Sequence, residues 1–188
     1  MTLLLAGVVL WCAAHLSLSV APAVRANLAA RLGERPFKGL FAIDIVIALV
    51  LIVMGWKAAT PAAIYAPPLT GNPVPLVILA LAILLFVTSK TPNNLKRYIR
   101  HPQLSAVLLW GIAHLLTNGD SRSLVLFGGL AIWAILEMIF INRRDGAWSK
   151  AASVPVIKDV ISVAVAAVVF TMLIYFHESL FGVAVIPA

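Results

Sequence analysis

The stretch from Phe37 to Ala58 reads FKGLFAIDIVIALVLIVMGWKA, which is long and apolar enough to cross a bilayer as one helix. Five further runs have the same character. The six predicted spans cover residues 2–21, 37–58, 74–90, 103–117, 122–142 and 157–177. Because these spans and their loops account for the 188 residues, we predict an all-α bundle of about six transmembrane helices in a single domain, residues 1–188. The fourth span is short, so we expect it to contact protein more than lipid.

The composition excludes a soluble domain. Hydrophobic residues make up 62% of the chain and charged residues only 11%, whereas soluble domains have about 25% charged residues. The net charge of +7 is consistent with a nucleic-acid partner, but the basic residues lie between the apolar runs, where the positive-inside rule accounts for them. We therefore expect membrane lipid, and no nucleic acid, as a partner.

Loop charges predict the orientation of the bundle. Twelve Lys and Arg residues follow spans one, three and five, and only Lys57 and Arg122 fall in the other loops. This asymmetry predicts an even number of spans with both termini outside, in the periplasm for a bacterial inner membrane. The basic segment 24–32, which contains Arg25 and Arg31, is typical either of a short amphipathic helix on the inner surface or of a solvated loop.

Two six-residue segments, called the hexads below, have a tryptophan and a histidine at the same positions, one in span one and one in span four. Trp and His four residues apart share a helix face, and a histidine inside a membrane span is a candidate functional residue. The two copies are Trp11-Cys12-Ala13-Ala14-His15-Leu16 and Trp110-Gly111-Ile112-Ala113-His114-Leu115.

The surroundings of the second histidine point it into the bundle. A polar and small-residue stripe runs along its helix, and lipid would penalise such a stripe. Gly111 within it allows close approach of a neighbouring helix or of a flat ring. His114 is then either a ligand to a cofactor or a packed histidine bonded to a carbonyl or serine. The stripe comprises Gln103, Val107, Gly111, His114 and Asn118.

The scarcity of other ligands favours haem over zinc. Zinc sites commonly take three or four protein ligands. Besides the two histidines, the spans offer Asp44, Glu137 and Cys12. We interpret Cys12 as a small buried hydrophobe and not as a ligand. Haem iron needs only one or two axial side chains. Without a CxxCH motif, any haem b is bound non-covalently.

The two histidines are predicted to lie at different depths in the membrane, which makes it harder for both to bind one iron. By helical rise, His15 and His114 differ in depth by roughly 8 Å, so a single axial histidine with an open sixth position is the alternative. Asp44 has two candidate roles, as a hydrogen-bond partner of His15 or as a counter-ion for basic residues near the surface. We expect Glu137 to pair with Arg144.

A cluster of polar residues, called the polar mouth below, precedes span four. Tyr98, Arg100 and His101 lie just before Pro102 at the inner surface. Such a cluster can hold a haem propionate, a lipid phosphate or a cofactor carboxylate, or it can serve as a juxtamembrane anchor.

These motifs resemble the NnrU family of bacterial inner-membrane proteins, which are associated with nitrite and nitric oxide metabolism. The resemblance is carried by the Arg-His-Pro-Gln start of span four, its hexad, Asn118-Gly119-Asp120, His15 and residues 31–40. The family is in turn similar to plant zeta-carotene isomerase, a haem b enzyme that moves a cis double bond in a polyene. That similarity implies His15 and His114 as haem ligands and matches His101 to an Arg-His-Pro histidine of the isomerase. The isomerase has a cysteine where this chain has Gly111.

The Arg-His-Pro element also resembles the edge that helps hold S-adenosylmethionine in isoprenylcysteine and phospholipid methyltransferases. Their paired-glutamate and arginine signature is missing around Arg143 and Arg144, so this stays a minor alternative.

Three functions follow as expectations. The first is a redox-gated, haem-dependent isomerase acting on an apolar polyene. The second is a haem protein that senses or binds nitric oxide without turnover. The third is a transporter or assembly factor without a cofactor, in which the hexads derive from an inverted repeat. For the haem functions we expect His15 and His114 to bind the metal between spans one and four, and the cofactor to contact Trp11, Arg100, His101, Trp110 and Gly111.

Overall fold

The computed structural model describes residues 1–185 and confirms the all-α membrane bundle. Four helices are long and apolar enough to cross a membrane, and two further apolar helices are shorter. The only β-pairing among residues 1–185 is an isolated bridge between Ala63 and Asp120. The helices are α1 Thr2–Val20, α2 Pro22–Leu32, α3 Glu34–Ala58, α4 Val74–Lys90, α5 Pro102–Thr117, α6 Ser121–Asp145 and α7 Ile157–Phe181.

The amphipathic segment is a helix and not a solvated loop. α2 begins with Pro22 in its first turn, where the missing amide hydrogen needs no partner. It ends at Gly33, whose φ of 88° suits glycine. The side of the bundle that carries α2 and the other basic loops is called the inner side below.

α6 lies between α1 and α5 in the bundle. It packs against α1 on one side and against α5 on another, α3 packs on α1, and α4 links α5 to α7. α1 and α5, which carry the two hexads, are not among the closely packed pairs. The two hexad helices are thus connected to each other through α6.

Glycines bring α1 and α3 into close contact. A Cβ on Gly7 would lie 2.7 Å from the Ile52 nitrogen, and a Cβ on Gly55 would collide with the backbone nitrogen of Leu4. Small residues allow this approach in membranes, where helices associate through packing and not through the hydrophobic effect. Leu4, Val8 and Ile52 form the buried core of the contact.

The loop between α3 and α4 lies across the outer turn that joins α5 to α6 and is hydrogen-bonded to it. The amides of Ile64 and Tyr65 donate to the Gly119 carbonyl at 2.8 and 3.1 Å. The Tyr65 hydroxyl lies 2.5 Å from the carbonyl oxygen of Leu115 and 2.9 Å from that of Asn118. These contacts satisfy carbonyls at the end of α5, which its own helix leaves without partners.

Asp120 caps the start of α6. Its Oδ1 accepts from the amides of Arg122 and Ser123 at 2.9 and 3.1 Å, and its Oδ2 accepts from the Ser123 hydroxyl at 2.7 Å. Burial raises the pKa of Asp120, but these hydrogen bonds and the charge of Arg122 outweigh it, so the pKa lies below its ordinary value. Ionisation of the carboxylate therefore strengthens the cap.

We predict that Gly55→Ala destabilises the protein by about 1 to 3 kcal/mol, because the new Cβ meets rigid backbone of α1. Gly39→Ala, in the same helix with nothing within 4 Å, is the matched control. It should be neutral or stabilising by up to about 1 kcal/mol through helix propensity. Denaturant unfolding in detergent measures both. Equal stability of the two variants would contradict the close α1–α3 contact.

We predict that Asp120 contributes to acid sensitivity. Because its pKa is lowered on folding, its contribution is complete above the unfolded value of about 3.9 and is lost as the pH falls through the folded value. Asp120→Asn retains a good cap without the titration, and Asp120→Ala costs about 1 kcal/mol at neutral pH. Unfolding measured against pH separates them. A wild-type acid slope that persists in Asp120→Asn would refute the assignment.

Candidate functional site

Both hexad histidines make the same local hydrogen bond. His15 Nδ1 lies 2.9 Å from the Trp11 carbonyl oxygen, and His114 Nδ1 lies 2.8 Å from that of Trp110. A carbonyl only accepts, so Nδ1 carries a proton, and in the neutral imidazole Nε2 then keeps its lone pair. Neither Nε2 atom has a hydrogen-bond partner within residues 1–185. In its neutral form, each imidazole can therefore offer Nε2 to a metal.

Aromatic rings enclose the His15 imidazole. Its ring centroid lies 4.4 Å from that of Trp11, 5.2 Å from Trp133 and 5.6 Å from Phe41. Helices α1, α3 and α6 each supply one wall. Trp11 and Trp133 both bury an indole N–H that has no acceptor in the described part of the chain.

A different set of rings encloses His114. Phe127 stacks on it at 4.2 Å with an interplanar angle of 20°, and Trp110 lies at 5.1 Å. Trp56 reaches the same cluster by packing against Phe127 at 5.9 Å. The cluster thus joins α5, α6 and the outer end of α3.

The two imidazoles lie against different parts of α6. Phe127 and Trp133 are six residues apart, which is about 9 Å along a helix. His15 lies toward the inner end of α1, whereas His114 lies in the last turn of α5 at the outer end. The structure therefore does not bring the two side chains into one shared gap between α1 and α5.

A π-helical turn, Leu124–Gly128, adapts α6 to its neighbours. The Phe127 carbonyl oxygen would lie 2.7 Å from a Cβ on Gly111, so a neighbouring helix fills the space that Gly111 leaves. A flat ring has no room at this point in the described arrangement. π turns occur frequently at functional sites.

A buried carboxylate lies next to the first histidine. Glu137 is 8% exposed, and its Oε2 accepts from the Ser19 hydroxyl at 3.0 Å. Ser19, one turn after His15, is 4% exposed. Trp133, one turn before Glu137, packs against His15 at 5.2 Å, so the carboxylate lies on the face of α6 that meets the imidazole.

The expected ion pair between Glu137 and Arg144 is not formed. Arg144 instead contacts Asp145 at 2.7 Å and donates to the Leu18 carbonyl at 3.2 Å. Its position beyond the end of the apolar part of α6 favours these surface acceptors. The buried carboxylate takes a hydroxyl from α1 as its partner.

Asp44 takes neither of its expected roles. Among residues 1–185 it makes no hydrogen bond or ion pair, and Lys38 pairs with Glu34 at 3.4 Å. The carboxylate beside His15 is supplied by α6 and not by α3.

Cys12 lines an apolar groove between α1 and α6. The groove has a volume of about 540 Å³ and extends from Leu5 to Leu16 along α1, facing Gly128 and Gly129 of α6. No group of three or more His, Cys, Asp or Glu residues that could hold a metal ion occurs in the described residues. The setting matches the interpretation of Cys12 as a small hydrophobe.

Arg100 and His101 join the start of α5 to the end of α6. His101 Nε2 lies 2.9 Å from Asn142 Oδ1, and Arg100 donates to the Gly146 carbonyl at 2.8 Å. Both side chains thus bond the protein itself, as an anchor does. Tyr98, the third residue of the predicted mouth, is 75% exposed.

The sequence did not single out Phe127 and Trp133 as neighbours of the histidines. Apart from Glu137, which lies four residues after Trp133, the middle of this span is apolar, and no polar stripe singles out the two rings. Only the packing of α6 between α1 and α5 reveals them.

Comparison with known proteins gives one match. A family model described as NnrU protein matches residues 3–185. No curated protein and no solved structure matches the chain.

We predict that Ser19→Ala destabilises the protein by about 1 to 3 kcal/mol, because it leaves the buried Glu137 carboxylate without its donor. Ser17→Ala is the matched control, since Ser17 is exposed and bonds only the Ala14 carbonyl of its own helix. Denaturant unfolding in detergent measures both. A Ser17 variant as unstable as the Ser19 variant would show that the pair contributes nothing specific.

Proposed function

The chain belongs to the NnrU family, and we propose that it binds haem b in a bacterial inner membrane, with His15 and His114 as the candidate axial ligands. The matched hydrogen bonds of the two histidines are the observation that carries the proposal. In both hexads a backbone carbonyl fixes the Nδ1 proton and leaves Nε2 available. We further propose that both termini lie in the periplasm, because the basic loops define the opposite side as inner.

The residues present fit a non-covalent haem. Its iron requires only one or two axial side chains, and its flat, apolar ring suits the aromatic side chains around each imidazole. Polar atoms on the cofactor would supply acceptors for the buried indole N–H groups of Trp11 and Trp133. Arg100 and His101 would have to release their present partners to contribute.

The separation of the histidines favours binding of haem by one of them and not by both. Since His15 and His114 lie against different parts of α6, either can offer an Nε2 atom without the other. Haem held by one of these histidines would supply binding and redox chemistry for a nitrogen oxide. Nitric oxide is apolar and reaches such a site through lipid, in keeping with a role in nitrogen oxide metabolism.

The apolar groove between α1 and α6 favours a second candidate function. It is lined by apolar residues, of which Leu5 and Val9 are exposed, and it runs beside Cys12 from Leu5 to Leu16, about 16 Å along α1. A redox-dependent isomerisation of an apolar polyene would use this groove for its substrate. Conversion of an added polyene by the reduced protein supports the isomerase, and reversible nitric oxide binding without turnover supports a binding protein.

We predict that purified protein loaded with haem shows a Soret band in oxidised and reduced spectra. His15→Ala or His114→Ala should lower haem affinity at least about tenfold if that residue holds the iron, as losing a ligand exceeds losing its hydrogen-bond partner. His177→Ala is the control, because His177 Nδ1 also bonds a carbonyl, that of Val183, but the residue lies outside both hexads.

Each outcome decides one claim. Loss in both variants assigns both ligands to haem, and loss in one assigns a single axial histidine. Full haem content in both variants would refute the ligand assignment. No Soret band after loading would refute haem binding and leave a transporter or assembly factor.

A further inference from the structure

The position of α2 places it at the level of the lipid headgroups. Only Gly33 separates α2 from α3, a helix of 25 residues. Such a helix is about 37 Å long, which exceeds the hydrocarbon thickness of about 30 Å. The charged start of α3, with Glu34, Arg35 and Lys38, therefore extends beyond the hydrocarbon, and α2 ends beside it.

One face of α2 is apolar and uncovered. Val24, Leu28 and Leu32 are 57%, 44% and 46% exposed. Their spacing of four residues puts them on one face, and no other helix in residues 1–185 covers that face. By contrast, Ala29 is buried against the bundle.

Two arginines flank this face. At 3.6 residues per turn, Arg25 and Arg31 lie about 60° to either side of Leu28. Arg25 packs over the Phe37 ring at 5.6 Å and has no acidic partner among the described residues. Glu34 is engaged by Lys38, so the surface around α2 keeps a net positive charge.

We propose that α2 is an interfacial helix, with its apolar stripe in the inner leaflet and Arg25 and Arg31 bound to phosphates of anionic phospholipids. Interfacial helices bury their apolar face about 5 to 10 Å into the headgroup and acyl boundary. Long arginine side chains reach outward from such a stripe to the phosphates. The positive charge favours an anionic lipid surface over an apolar protein partner.

Spin labels test the depth of the stripe. In the full chain with Cys12→Ala, single labels are placed through Leu28→Cys or Ala26→Cys, the latter on the opposite side of α2. In vesicles of phosphatidylcholine and phosphatidylglycerol, the label at 28 should be accessible to oxygen and the label at 26 to an aqueous nickel reagent. Equal aqueous accessibility would overturn the proposal. Disulfide cross-linking between copies through position 28 would also overturn it, by assigning the face to a second copy.

Lipid selectivity tests the arginines. The ratio of phosphatidylglycerol to phosphatidylcholine that co-purifies from an equal mixture should fall about fivefold for each charge removed in Arg25→Gln/Arg31→Gln. Arg25→Lys/Arg31→Lys keeps the charge and should keep most of the selectivity. An unchanged ratio in the Gln variant, or an equal fall in the Lys variant, would overturn the phosphate contacts. Neither experiment depends on haem, so its outcome is separate from that of the proposed cofactor.

Discussion

The packing of α6 against both α1 and α5 is the constraint on which the site depends. In a bilayer, apolar side chains gain little by leaving lipid for protein, so close backbone approach and buried hydrogen bonds must hold the helices. Gly111 admits the Phe127 carbonyl on one side of α6, and Val8 contacts Gly129 on another. The pair formed by Ser19 and Glu137 adds a polar contact that lipid cannot replace. Each histidine environment is built from α6, one hexad helix and an aromatic residue of α3.

Much of the fold follows from the sequence because the bilayer is a simple solvent. An apolar run of sufficient length must satisfy its backbone internally, so it becomes a helix. For this reason the predicted span 37–58 falls within α3, and the predicted span 74–90 coincides with α4. Helix order in space is different, since it depends on small-residue contacts such as that of Gly55 with α1, which leave no periodic signal.

The candidate site could be predicted only in part. The i to i+4 spacing in each hexad is a local property, and it fixes the tautomer of the histidine through a carbonyl of its own helix. Partners on other helices are not local. Glu137 was expected to bond a nearby arginine, yet it bonds Ser19, which is 118 residues away in the chain. Lipid disfavours a carboxylate without a donor, but many donors would meet that need, so the sequence leaves the choice open.

The π turn in α6 sets the relation between the two histidine environments. A π turn contains one residue more than an α turn, and one residue corresponds to about 100° of rotation around a helix. Phe127 lies within this turn, whereas Trp133 and Glu137 follow it. The extra residue therefore acts as a fixed rotational offset between the outer and inner halves of α6. It lets one helix present Phe127 to α5 and the Trp133 and Glu137 pair to α1, although the hexads themselves are alike.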